Sequence, residues 1–143
     1  MDSTTIYNRF QQIHVLLDDG DRQVLNKFDL TSTQYNLLYH LGKYQEGLTI
    51  TDLSNLLICT RGNATRLVQR LKERNLIQTV RGKKDRRLVH ASLTTEGKNL
   101  LEVASVAHTD SVNGRFCVLG QENLQLVDEI TNKVAQLLEQ QLT

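Results

Sequence analysis

Proline is absent from this sequence, and cysteine and aromatic residues are scarce. Cys59 and Cys117 are too few and too far apart along the chain for a disulfide scaffold, so we expect reduced thiols. No window approaches about 18 uninterrupted apolar residues, and no early apolar run follows basic residues, which excludes a membrane span and a signal peptide. We therefore expect a cytoplasmic protein without membrane contact, folded as one domain of 143 residues.

Sequence patterns that mark catalytic and metal sites are also missing. The chain has no GxSxG, no glycine-rich phosphate loop, no HExxH and no paired catalytic carboxylates. The histidines occur singly, at His14, His40, His90 and His108, without the spacing of metal ligands. The sequence therefore predicts no enzyme, no metal site and no cofactor.

Charge is distributed unevenly along the chain, although the formal net charge is only +1. Between Cys59 and His90, ten Lys/Arg accompany two acidic residues, a local net charge of +8. The rest of the chain has seven Lys/Arg and 14 Asp/Glu, a net charge of −7. Because phosphate contacts supply most sequence-independent affinity for nucleic acid, this pattern favours nucleic-acid binding over a merely solvated basic face.

The first 28 residues show the periodicity of an amphipathic helix. Apolar residues recur at spacings of four, three and four, which predicts a helix over residues 3–19. The run Asp18-Asp19-Gly20-Asp21 predicts a break, followed by a shorter helical piece that reaches Phe28. The apolar positions are Ile6, Phe10, Ile13 and Leu17.

Three capping signals follow. Thr31 with Gln34 three residues later predicts the start of a helix, and Thr49 predicts another. Thr60 predicts a third, which ends at Asn75, a residue that tolerates left-handed geometry. Because only a few residues separate the last two helices, they predict a helix-turn-helix. The apolar stripe of its second helix is Ala64, Leu67, Val68 and Leu71.

Residues 76–80 and 87–93 are short, β-branched and partly apolar, and the loop RGKKDR between them contains glycine. They predict a β-hairpin beside the preceding helix, a wing whose cationic tip remains available for phosphates or the minor groove.

Two long helices follow, one beginning at Thr94 or Thr95 and one after Gly120. A DNA-reading core does not need long helices at both ends, so we expect them to pack against a second subunit in a homodimer.

The segments LTSTQYNLL, LTITDLSNLLICTRGNATRLVQRLKERNLI and KKDRRLVHASLTTEG resemble the MarR family of bacterial transcriptional regulators. The resemblance covers nearly the whole chain, and its most specific piece is the run from Asp85 through Arg87 to Gly97. It implies a mostly α-helical fold with a small β-hairpin. A winged helix-turn-helix lobe at residues 31–93 would be flanked by dimerisation helices at 1–28 and 95–143, within a single domain at 1–143.

The same resemblance implies a transcriptional regulator that binds specific double-stranded DNA. It would be a ligand-responsive homodimeric repressor of a pseudo-palindromic operator, with a small-molecule effector at the lobe junction. The alternative is a winged-helix module that binds other proteins and not DNA. An interaction module gives no reason to concentrate the +8 charge between Cys59 and His90.

Family positions imply roles for individual residues. The recognition helix would present its first residues to the major groove, where arginine can pair with guanine and asparagine with adenine. Arg87 would enter the minor groove, oriented by Asp85; an ion pair within the hairpin, without a DNA role, is the alternative. The predicted DNA-binding residues are Thr60, Arg61, Asn63, Arg66, Arg70, Lys83, Lys84, Asp85, Arg86 and Arg87.

Two positions depart from the family pattern, which often has glycine there. Asn75 accommodates the change easily, whereas Ile58 predicts a helix-turn-helix turn of different shape. Cys59 is a small buried hydrophobe or, as a second hypothesis from its position, an oxidant sensor. Five residues would line an effector pocket or belong to the core, and we favour the core for each: Tyr7, Phe10, His14, Tyr35 and His40.

Overall fold

A computed structural model of the chain describes residues 1–142. Within that range the chain forms six α-helices and one three-stranded antiparallel sheet. The helices are α1 (Ser3–Leu25), α2 (Ser32–Lys43), α3 (Ile50–Leu57), α4 (Arg61–Glu73), α5 (Thr95–Phe116) and α6 (Gly120–Leu142). The strands are β1 (Leu48–Thr49), β2 (Ile77–Arg81) and β3 (Val89–Leu93). This mostly helical fold with a small sheet agrees with the predicted fold class.

Helix α1 continues through the predicted break at Gly20 and ends at Leu25. One glycine inside a helix costs only about 1 kcal/mol relative to alanine. Arg22 spans the acidic run, because its guanidinium lies 3.3 Å from an Asp18 carboxylate oxygen and 3.2 Å from one of Asp19. A single 3-10 turn, Asn26–Phe28, follows and ends the segment. The expected break was therefore wrong, since charges at helical spacing offset the glycine.

Helices α2 and α3 begin with the capping interactions that the sequence predicts. The Thr31 hydroxyl accepts the Gln34 backbone N–H at 3.1 Å, and the Gln34 side chain accepts the Thr31 N–H at 3.1 Å. Thr49 and Asp52 make the same reciprocal pair at 3.1 Å each. Both pairs satisfy backbone donors that the first helical turn leaves without partners.

The predicted helix-turn-helix is confirmed as α3 and α4. Thr60 caps α4 by accepting the Asn63 N–H at 3.2 Å. Ala64, Val68 and Leu71 are buried, which fixes the inner face of the helix. Asn75 has φ 58° and terminates the segment, as its tolerance of left-handed geometry predicts.

The hairpin is also confirmed, with a third strand that the sequence did not reveal. Strands β2 and β3 pair with Ile77 opposite Leu93 and Arg81 opposite Val89. Strand β1 joins the other side of β3, so that the sheet order is β1-β3-β2. A two-residue strand has no detectable period, and its Thr49 doubles as the cap of α3, so periodicity could not find it.

A single hydrophobic core supports the helix-turn-helix and the hairpin. Its fully buried side chains come from α1, α2, α3, α4 and β2, and Ala104 of α5 joins them. These large residues are Leu25, Leu37, Leu38, Leu53, Leu71 and Ile77. They belong to the first of two compact units, Met1–His108; the second begins at Thr109. The core therefore holds α4 and the base of the hairpin on a common support.

Thr94 connects the end of α4 to the start of α5. Its hydroxyl donates to the Asn75 carbonyl at 2.7 Å and accepts the Gly97 N–H at 3.0 Å. Its own N–H donates to the Leu76 carbonyl at 3.1 Å. Gly97 permits this approach, since a Cβ on it would lie 2.0 Å from the Leu76 carbonyl oxygen. Three hydrogen bonds and the absence of a Cβ at Gly97 thus fix the start of α5 against the residues that follow α4.

The turn between α3 and α4 keeps the geometry that a glycine would give it. Ile58 has φ 52° and ψ 53°, and the Cys59 N–H donates to the Ser54 carbonyl at 3.0 Å, which closes α3 in a left-handed cap. The Ile58 N–H donates to the Asn55 carbonyl at 3.3 Å, so two hydrogen bonds close the cap in the left-handed conformation. The expected change of turn shape was therefore wrong. A β-branched residue is strained there.

Replacing Ile58 with glycine should raise the free energy of unfolding by about 1 kcal/mol. The side chain is 92% exposed, so its removal sacrifices little packing, and glycine adopts positive φ without strain. Urea denaturation of both proteins measures the difference. Ile58→Val is the matched control and should leave stability unchanged, because it keeps the β-branch. A glycine variant no more stable than the valine variant would contradict the strain.

Within residues 1–142, no helix combines the length and the apolar character that crossing a membrane requires.

Candidate nucleic-acid interface

The outer face of α4 carries the cationic residues predicted to read DNA. Arg61, Asn63, Arg66 and Arg70 are all exposed, whereas the buried stripe faces the core. Arg66 Nη2 donates to Asn63 Oδ1 at 2.5 Å, so two of the predicted readers contact each other. Thr60 is engaged as the cap of the helix. The structure therefore brings these residues together on one exposed surface.

The hairpin tip gathers the second group of predicted residues. The Gly82 N–H donates to the Leu88 carbonyl at 2.8 Å, and the Leu88 N–H donates to the Asp85 carbonyl at 3.2 Å, which closes the loop. These bonds shorten the second strand, which begins at Val89 and not at 87 as predicted. Lys83, Lys84, Arg86 and Arg87 are exposed on this loop. The wing thus presents a compact cationic tip without proline.

Both carboxylate oxygens of Asp85 accept hydrogen bonds from the Arg87 guanidinium. Arg87 Nε donates to Asp85 Oδ1 at 3.1 Å and Nη2 donates to Oδ2 at 3.2 Å, while the Arg87 backbone N–H adds a bond of 3.0 Å to Oδ1. The side-chain and backbone hydrogen bonds from Arg87 hold the pKa of the Asp85 carboxyl below its usual value. The Arg87 side chain is 91% exposed. The pair therefore pre-orients a guanidinium that remains accessible.

Lys72, which is not among the predicted DNA-binding residues, links α4 to the hairpin. Its ammonium donates to the Thr79 hydroxyl of β2 at 3.0 Å. The Lys72 contact depends on how β2 packs beside α4, which one-dimensional spacing does not show.

A cleft of about 410 Å³ runs between α4 and the first turn of α2. Cys59 lines it and packs, partly buried, against the core. This environment agrees with the interpretation of Cys59 as a small hydrophobe. Other residues of the cleft are Thr31, Thr33, Gln34, Asn63, Arg66, Leu67 and Arg70.

Of the five residues considered for a pocket or the core, Tyr35 alone is buried within residues 1–142. Its ring centroid lies 4.7 Å from that of His108, whose Nε2 is 3.1 Å from an Asp21 carboxylate oxygen. Burial raises the pKa of Tyr35, with smaller contributions from Tyr39 and Asp21. The pKa of half-buried His40 is lowered, mainly by burial and to a smaller extent by the positive charge of Lys43.

Tyr7, Phe10 and His14 are instead exposed on α1. The core interpretation of these three residues was therefore wrong for the isolated chain. Their helix turns this face away from the core, which it reaches through Leu25 at its C-terminal end.

A protein metal site needs several histidine, cysteine or carboxylate side chains around one point. Residues 1–142 contain no group of three or more such residues placed to hold a metal ion.

Comparison with known proteins bears on this arrangement of helix-turn-helix and wing. Residues 28–88 match the sequence model described as "MarR family". The HTH-type transcriptional regulator YhbI of Bacillus subtilis is 31% identical over 117 residues, which cover 81% of this chain and 75% of YhbI. The chain belongs to the MarR family.

Solved structures of MarR-family regulators share the fold. AbsC from Streptomyces coelicolor superposes with a TM-score of 0.87 and 22% identity, covering 97% of each chain. The S. aureus MepR–DNA complex gives a TM-score of 0.81 and 25% identity, covering 95% of this chain and 98% of the other. This MarR-family chain is a DNA-binding transcriptional regulator, and the comparisons favour that function over a protein-interaction module.

Proposed function

We propose that this regulator is a cytoplasmic homodimeric repressor that binds a pseudo-palindromic operator. Each protomer inserts the start of α4 into a major groove and the wing tip into the neighbouring minor groove. Two-fold symmetry of the protein then requires half-sites about one helical turn apart. The two proposed readers are chemically suited to this task, since one is a helix with exposed donors and the other a narrow cationic loop.

The observation that carries this proposal is the Asp85–Arg87 contact at the wing tip. Lys72 of α4 contacts Thr79 of β2, at the base of the same hairpin. A guanidinium held extended loses less conformational entropy when it enters a groove. Within the site, we assign base contacts to Arg61 and Arg66 and phosphate contacts to Arg70 and the wing lysines. The proposed DNA-binding set is Thr60, Arg61, Asn63, Arg66, Arg70, Lys83, Lys84, Asp85, Arg86 and Arg87.

Exposed apolar faces on the terminal helices support the homodimer. Ile6, Phe10 and Ile13 of α1 are 46%, 36% and 42% exposed at helical spacing. In the second unit, Val127 and Ile130 of α6 are exposed on that helix. Monomeric proteins seldom leave such faces in water. We assign residues 1–28 and 95–143 to the dimer interface and residues 31–93 to the DNA-binding lobe, within one MarR-like domain.

A cavity of about 440 Å³ supports an effector site at the lobe junction. It lies between the end of α2, the β2–β3 hairpin and the first half of α5, and its size suits a small molecule. Leu41, Leu93 and Leu101 provide apolar surface, and Lys98 and Glu102 provide one charge of each sign. We propose that it binds a small molecule with an apolar body and a polar group, because this lining pairs apolar contact with charged side chains.

Footprinting on the promoter region beside its own gene tests the proposed function. We expect the purified protein to protect an inverted repeat, with two protected segments about one helical turn apart. Light scattering on the same sample should give twice the mass of the 16.3 kDa chain. A monomer, or equal affinity for the promoter and for random duplex DNA in dilute buffer, would contradict the proposal.

A further inference from the structure

We propose that Asn63 is a positioning residue, which holds the Arg66 guanidinium for base reading and does not read a base itself. The inference rests on the proposed function, since it assigns roles within the same recognition helix. It concerns the contact in which Arg66 Nη2 donates to Asn63 Oδ1.

The chemistry of the two side chains fixes the orientation of the Asn63 amide. A guanidinium only donates hydrogen bonds, so the Asn63 atom that faces it is the carbonyl oxygen. The Asn63 backbone is fixed as well, because its N–H donates to the capping Thr60 hydroxyl at 3.2 Å. The acceptor that holds Arg66 is therefore attached to the capped first turn of α4.

Position on the helix separates the two residues. At about 100° per residue, Arg66 lies about 200° around the axis from buried Ala64, near the centre of the outward face. Asn63 lies about 100° from Ala64, nearer to the buried face, although both side chains line the cleft beside α2. The arginine therefore occupies the position of a base reader, and the asparagine occupies that of its support.

Holding Arg66 in advance benefits recognition. An arginine side chain has many rotamers, and an acceptor that selects one in the free protein lowers the entropy lost on binding. One N–H of the guanidinium is used, and the remaining donors can pair with O6 and N7 of guanine. Asp85 does the same for Arg87 in the wing, so both reading elements carry an arginine held by a preceding acceptor.

The competing role for Asn63 is bidentate pairing with adenine. That pairing needs the amide oxygen to accept from the adenine amino group while the amide nitrogen donates to N7. In this structure the same oxygen already accepts from Arg66. The two roles therefore predict different consequences when the amide becomes a carboxylate.

Asn63→Ala and Asn63→Asp, measured against a panel of single-base operator variants, distinguish these roles. We expect Asn63→Ala to reduce discrimination roughly ten-fold at the base pair that Arg66 reads. Asn63→Asp should keep that discrimination within about two-fold, because a carboxylate still accepts from arginine. Its added negative charge should weaken operator and random DNA equally. An adenine reader would instead lose its preference in both variants, since aspartate has no amide donor.

Arg66→Ala identifies the base pair concerned, and the double variant Asn63→Ala/Arg66→Ala should lose nothing further there. Asn36→Ala, at an exposed asparagine of α2 outside the proposed DNA-binding set, is the matched control and should leave this base pair's discrimination unchanged. Thermal unfolding of each variant verifies that it is folded. Loss at a different base pair from Arg66→Ala, or an aspartate variant as unselective as alanine, would overturn the inference. Wild-type protein without operator preference would instead overturn the proposed function.

Discussion

Replacing Gly97 with alanine should lower the free energy of unfolding by about 3 kcal/mol, a large fraction of the stability of a small domain. The new Cβ would lie 2.0 Å from the Leu76 carbonyl oxygen, so α5 and the start of β2 must separate. Separation strains the Thr94 bonds to Asn75 and Leu76, each worth about 1 kcal/mol. The better helix propensity of alanine offsets only about 1 kcal/mol of this cost.

Gly114, on the same helix, provides the matched control. A Cβ there would meet no atom within 4 Å among the described residues 1–142. Gly114→Ala should therefore raise stability by up to about 1 kcal/mol through helix propensity alone. Urea denaturation of both variants gives the two values. Equal effects of the same sign at Gly97 and Gly114 would show that the close approach to Leu76 is not what selects glycine at position 97.

Local signals explain why much of the fold could be predicted. Thr31, Thr49 and Thr60 each start a helix in the structure because capping depends on residues within one turn. The wing strands follow from short β-branched runs around a glycine loop. The predicted helix break at Gly20 and the predicted change of turn at Ile58 were wrong for a related reason. Ion pairs of Arg22 around Gly20 and hydrogen bonds at Ile58 each hold a backbone conformation that the residue itself disfavours.

The candidate site divides in the same way. The sequence, through its resemblance to the MarR family, predicts the Asp85–Arg87 contact, and a spacing of two positions on a tight loop permits it. It does not predict that Lys72 reaches Thr79, because that distance depends on the packing of β2 beside α4. Nor does it distinguish core from interface for Phe10 of α1, since both environments select the same apolar spacing.

Replacing Arg87 with alanine should weaken binding to operator and random duplex DNA by a similar factor, roughly ten-fold at about 0.1 M salt. Arg87 carries its charge on an exposed loop, held by Asp85 and not by the core, so the variant should fold normally. The slope of log affinity against log salt should fall by about 0.9, the amount expected for one phosphate-neutralising charge. Fluorescence anisotropy titrations at several salt concentrations measure both quantities.

Asp85→Ala separates the charge of Arg87 from its orientation. This variant keeps the arginine but removes both side-chain contacts that hold it and one negative charge, so the salt slope should not fall. Lost orientation should lower affinity for both DNAs by a few-fold, whereas loss of the negative charge alone would raise it. If Arg87 served only an ion pair within the hairpin, neither variant would change affinity beyond the effect of one distant surface charge. If Arg87→Ala abolished operator preference and spared random DNA, the arginine would read bases, and the assignment of specificity to α4 would be wrong.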